Sequence, residues 1–144
     1  MAQAASFIVS NIGRAIQKLE EMRGKIKEWY QNQKKLALEA LETLGIKHEK
    51  AIQILKTNSN ITIEKKKIGQ KEYFYLRFFD KNGVRRSIYA GTEEKARDII
   101  KVKQEFEEKR ARFREKMRTL KELERKIENF AELLSDILGG EIIG

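Results

Sequence analysis

Tyr73-Phe74-Tyr75-Leu76-Arg77-Phe78-Phe79-Asp80-Lys81-Asn82-Gly83-Val84-Arg85-Arg86-Ser87-Ile88-Tyr89-Ala90 carries the clearest structural signal in the chain. Two runs rich in aromatic and β-branched residues flank a short polar segment, the signature of a hairpin. Asp80-Lys81-Asn82-Gly83 suits a type I turn closed by glycine in the left-handed region. The strands are read as Glu72–Phe79 and Val84–Ala90. Upstream, Ile61–Lys67 reads as a further strand, and Gly69-Gln70 suits a two-residue turn with glycine at its first central position. Tight connections of this kind predict an antiparallel three-stranded meander over residues 61–91.

Side chains alternate across a strand with period two. Phe74, Leu76 and Phe78 therefore share one face, joined by Val84 or Ile88 and by Ile61 or Ile63. They are expected to pack on Ala96, Ile99 and Ile100 of the segment that follows. Tyr73, Tyr75, Arg77, Arg85, Ser87 and Tyr89, with Lys66 beside them, fall on the opposite face. Arginine pairs with phosphates and guanine edges, and tyrosine stacks on bases or donates a hydrogen bond. These seven residues are candidate nucleic-acid contacts. The same composition also suits a protein interface or an ordinary solvated sheet.

On both sides of the meander the period changes from two to three-and-four. Residues up to about Leu44 read as one long helix with a seam of Ile12, Ala15, Leu19, Met22, Ile26, Trp29, Leu36 and Ala40, Gln33 filling one slot. This is the 3.5-residue period of a coiled coil. Gly45 is the expected stop. A short helix over His48–Leu55 and a polar break at Thr57-Asn58-Ser59-Asn60 follow. After Gly91, Thr92 is a good N-cap, with Glu93 and Glu94 where the helix dipole favours anions. The last helix is expected to run to Leu138 and stop at Gly139-Gly140, a length of roughly 70 Å. Its seam is Ile99, Val102, Phe106, Lys109, Phe113, Lys116, Leu120, Leu123, Ile127, Phe130, Leu134 and Ile137.

The expected class is therefore α+β and mostly α: two long antiparallel coiled-coil helices flanking the meander. Residues 1–60, 61–91 and 92–144 are read as three parts of one structural domain. A single helical pair would leave Trp29, Tyr30, Leu38, Leu41, Phe130 and Leu133 under-covered, so a homodimer forming a four-helix bundle is expected.

Composition agrees with long helices. The 144 residues are 37% charged and 40% apolar, too charged for one thick core and too apolar for disorder. There is no proline to end a helix. With no cysteine, disulfides and thiolate metal sites are excluded. No apolar run is long enough to span a bilayer, and the mildly apolar Ala4–Ile12 lacks the features of a signal peptide. An intracellular, cytoplasmic location is expected.

The net charge of +9 and pI near 9.7 favour a polyanionic partner, nucleic acid first and an anionic membrane surface second. Lysine- and glutamate-rich composition also fits a thermophilic chain. The excess is strongest between Lys109 and Arg118, where Glu115 is the single acid among six cations. Arg110, Arg114 and Arg118 follow helical spacing and could track a phosphate backbone. The alternative is the outward, charged face of a coiled coil.

The chemistry of catalysis finds no foothold in the sequence. His48 is the lone histidine and lacks companions for a metal. Most carboxylates sit beside lysine or arginine on helix faces, as intrahelical pairs. No nucleophile elbow and no glycine-rich phosphate loop occurs. The expectation is a non-enzymatic chain with no cofactor, no metal and no small-molecule substrate.

The segment Tyr73–Thr92, with Glu93, Glu94 and Ala96 after it, resembles the small three-stranded sheet plus helix at the N-terminus of many tyrosine recombinases and in plant ethylene-response transcription factors. The shared pattern is an aromatic-rich strand, an acidic turn ending in glycine, a basic strand, then a helix with an early alanine. The resemblance implies a sheet laid in the DNA major groove and places Tyr75, Arg77, Arg85 and Ser87 near DNA. It covers about a quarter of the chain. The family's helix is short where this one runs on, and the recombinase catalytic domain is absent. The strand pattern is also similar to that of small archaeal, viral and plasmid proteins of no known activity. Together these readings favour a double-stranded-DNA-binding homodimer over a structural or adaptor coiled coil.

Overall fold

The computed structural model describes residues 2–139. It is α+β and mostly helical, in the order α1 (Ala2–Thr43), α2 (His48–Lys56), β1 (Thr62–Ile68), β2 (Lys71–Phe79), β3 (Arg85–Gly91) and α3 (Glu93–Ile137). The expected stop at Gly140 lies outside the described residues. The chain forms two compact units, Gln31–Arg110 and Met1–Tyr30 with Ala111–Gly144.

The Gln31–Arg110 unit holds the sheet. Its strands run β1-β2-β3, antiparallel throughout. Gly69 (φ 64°) makes the first turn. The second turn is locked by Asp80. Its carboxylate accepts the N–H groups of Asn82 and Val84, each at 2.9 Å, while Gly83 (φ 79°) closes the turn onto the Asp80 carbonyl. These contacts hold the Asp80 carboxyl below the ordinary carboxylate range, the Val84 N–H being the largest cause. Arg86 adds an ion pair at 2.9 Å.

One face of the sheet is the core. Leu76 lies between Ile63 of β1 and Ile88 of β3. Leu76, Phe78, Ile88 and Ala90 are buried, as are Ala96, Ile99 and Phe106 of α3, Ala51, Ile54 and Leu55 of α2, and Leu41 and Ile46. Of the pair Val84 or Ile88, only Ile88 enters; Val84 sits at the turn and is 49% exposed. Leu41, expected to be under-covered, is fully buried.

α2 ends against α3 in an unusual way. Lys103, 6% exposed, donates to the carbonyls of Leu55 (2.9 Å) and Thr57 (2.8 Å) and pairs with Glu107 at 2.5 Å. Arg110 also donates to the Leu55 carbonyl. Two cations thus satisfy carbonyls that a helix end leaves without partners. Burial keeps the Lys103 ammonium below the ordinary lysine range, against the pull of Glu107. Thr57 and Ser59 continue the tie to the sheet: both hydroxyls donate to the Phe79 carbonyl, and the Phe79 N–H donates to the Ser59 hydroxyl at 2.8 Å.

In the other unit, α1 and α3 run antiparallel. Tyr30 stacks on Phe113 (centroids 4.2 Å apart), Lys116 lies 4.8 Å over the Trp29 ring, and Arg23 pairs with Glu124. Leu19 and Leu120 are buried here. The expected seam is only partly enclosed. Met22, Leu123, Phe130 and Ile137 are 49%, 41%, 51% and 68% exposed. A straight helix drifts by about 20° per heptad from a 3.5-residue repeat, so Leu123, Phe130 and Ile137 lie on the flank of the helix face that carries Leu120. No helix among the described residues is long and apolar enough to cross a membrane.

Candidate nucleic-acid interface

The open face of the sheet is assembled by strand register. Thr62, Glu64 and Lys66 of β1 lie opposite Arg77, Tyr75 and Tyr73 of β2. On the other side, Tyr75 faces Tyr89, Arg77 faces Ser87 and Phe79 faces Arg85. The alternation that buries Leu76 and Phe78 therefore turns these residues outward. Seven of the residues expected from sequence, Lys66, Tyr73, Tyr75, Arg77, Arg85, Ser87 and Tyr89, come together on one surface.

Within it the three tyrosines form a cluster. The Tyr73 and Tyr89 rings meet edge-on with centroids 6.2 Å apart, and Tyr75 and Tyr89 are tilted at 5.4 Å. Lys66 Nζ lies 4.8 Å from the Tyr75 centroid. The three rings thus hold one another in place, with a cation over one of them. Tyr89 is 46% exposed, and Phe79 extends the aromatic surface at 52%.

Sequence reading missed Glu64, which pairs with Arg77. The signal was available, because the Gly69-Gln70 turn fixes a register that sets Glu64 opposite Tyr75. Arg77 is therefore partly neutralised. Lys66 and Arg85 make no ion pair among the described residues. By the same alternation Lys71 also lies on this face, which carries four cations, Lys66, Lys71, Arg77 and Arg85, against this one carboxylate.

The helical stripe is divided. Arg110 does not face solvent: its side chain is 11% exposed, it donates to Leu55, lies 5.2 Å from the Phe106 centroid, and sits 3.3 Å from Glu107. Its guanidinium serves the end of α2, which corrects its place on an open stripe. Arg114 and Arg118 are exposed, without ion pairs among the described residues. No group of three or more His, Cys, Asp or Glu among the described residues could hold a metal ion. His48 Nδ1 lies 2.7 Å from Glu42.

No protein-family model, curated protein or solved structure matches this chain.

Proposed function

We propose that the chain is a non-enzymatic nucleic-acid-binding protein that uses the open sheet face, with double-stranded DNA as its first target. The observation that carries this reading is the tyrosine cluster flanked by Lys66, Arg77 and Arg85. In a groove, the cations reach phosphates and guanine edges, and the tyrosine hydroxyls donate to phosphates or base edges. Three strands about 4.8 Å apart make a surface about 10 Å across, compatible with a major groove about 12 Å wide. The net charge of +9 supports the same partner, and the resemblance to the recombinase-type sheet points the same way.

The test is fluorescence anisotropy on labelled random duplex DNA across a salt series. Arg77→Ala with Arg85→Ala should lose affinity and flatten the salt slope by at least about 0.9, the full contact of Arg85, the share of Arg77 being reduced by its pair with Glu64. Unchanged affinity in the double variant rejects this surface.

A second observation supports self-association. Leu123, Phe130 and Ile137 recur every seven residues along one flank of α3, Leu133 lies nearby, and Met22 of α1 lines an apolar groove with Leu120 and Leu123. With Phe7, the six exposed apolar side chains offer roughly 600 Å² per copy, or about 1,200 Å² in a symmetric pair, the lower edge of a stable interface. A second copy laid on this flank would complete a four-helix bundle of coiled-coil type. Sedimentation equilibrium should give a dimer that Leu123→Glu with Phe130→Glu converts to a monomer. A wild-type monomer at all concentrations removes this part of the reading.

A further inference from the structure

We infer that the cleft beyond the outer edge of β3 is a phosphate-binding site for the backbone of a duplex whose major groove receives the tyrosine face. The inference rests on the nucleic-acid reading above and names a site outside that face. The cleft, about 390 Å³ in volume, lies within the Gln31–Arg110 unit. Lys47, Lys50, Lys95, Tyr89 and Gly91 are among its lining residues.

Four features converge there. Three lysines come from two helix starts: Lys47 is the N-cap of α2, Lys50 lies in its first turn, and Lys95 lies in the first turn of α3. No carboxylate lines the cleft, and none of the three lysines makes an ion pair among the described residues. Like charges gathered without a counter-ion repel one another, and a bound anion would relieve that repulsion. Lys47 gives α2 no side-chain cap, so N–H groups of the first turn keep their capacity for an acceptor. β3 is an edge strand, so its outer backbone is also unpaired in the sheet.

Tyr89 joins the cleft to the aromatic face. It lines the cleft, and its ring packs on Tyr75 and Tyr73. A duplex seated on this cluster would therefore have a backbone phosphodiester beside the three lysines. The ligand class is a phosphodiester chain, held by point charges and backbone donors without base selection.

The experiment uses the full chain with Lys47→Gln, Lys50→Gln and Lys95→Gln combined. All three side chains are exposed, and circular dichroism checks that the fold is kept. The control, Lys18→Gln with Lys25→Gln and Lys27→Gln, removes equal charge from exposed positions of α1. Anisotropy on random duplex DNA is read from about 50 to about 200 mM salt. Loss of three phosphate contacts lowers the slope by about 2.7, so the wild-type advantage shrinks about 40-fold across that range. The control should lower the slope by less than about 1, the share of one contact. If the wild type binds and the cleft variant loses less than one contact's slope, or no more than the control, the site is wrong while the sheet reading stands. If the wild type shows no salt-dependent binding, the nucleic-acid reading itself fails and this site with it.

Discussion

Replacing Glu64 with glutamine should tighten nucleic-acid binding. Glu64 is the carboxylate paired to Arg77 on the open sheet face, and it lies opposite Tyr75 in the register. A phosphate approaching Arg77 must compete with it. Glutamine keeps the size and can still accept a hydrogen bond, but it frees the guanidinium charge. One additional phosphate contact steepens the salt slope by about 0.9, which is about 8-fold in affinity at 0.1 M salt relative to 1 M. The effect on folding should be small. The Arg77 and Glu64 side chains are 24% and 33% exposed, and a pair this open contributes about 1 kcal/mol or less. The assay is anisotropy on random duplex DNA across salt, with urea unfolding as the stability check. Glu72→Gln is the matched control. It removes the same charge from a residue paired to Lys65 at 2.9 Å, on the side of β2 that carries Phe74 and Leu76, and should give only a small part of the gain. Equal or weaker binding by the Glu64 variant, or an equal gain in the control, would refute the reasoning that Arg77 is a phosphate contact held in check by Glu64.

Two further predictions concern the frame that supports this face. Lys103→Met leaves the Thr57 carbonyl without its buried donor while Arg110 still serves Leu55 and Glu107, so stability should fall by about 1–3 kcal/mol. Urea unfolding with an unchanged m-value measures it, and a loss under about 1 kcal/mol would show the contact to be dispensable. Asp80 titrates below the ordinary carboxylate range in the folded chain, chiefly through the Val84 N–H and also through Arg86 and the Asn82 N–H. Its contribution is present above the unfolded-state value and lost as pH falls through the lowered folded value. Asp80→Asn should therefore flatten the fall in urea midpoint between about pH 5 and about pH 2; an acid limb as steep as in the wild type would contradict this.

The sheet was legible because its signals are local. Gly69 and Gly83 mark turns that need positive φ, and period-two alternation divides Leu76 and Phe78 from Tyr75 and Arg77. Helix α3 begins after Thr92, whose hydroxyl accepts the Lys95 N–H at 3.2 Å, as a capping residue should. Long-range roles were not legible. Lys103 falls next to the seam residue Val102 and looks like any solvated lysine, yet carbonyls 46 and 48 residues away draw it inward. Arg110 belongs to a basic stripe by spacing and to the end of α2 by contact. Lys47, Lys50 and Lys95 share no motif, because the cleft that gathers them exists only after α2 and α3 meet the edge of β3. The seam was legible as a period, but burial of each member depends on the drift between a straight helix and its repeat.

The irregularity in the last strand sets the phase of the first turns of α3 against the sheet. Tyr75 faces Tyr89 while Phe74 faces Gly91, so β3 spends an additional residue, Ala90, just before the helix. One residue turns an α-helix by about 100°. Deleting Ala90 would rotate Ala96 and Ile99 off the sheet and bring charged neighbours toward Leu76. The bulge thus works like the keying of a shaft: the residue count of the strand decides which side of the first turns of α3 is presented to the sheet.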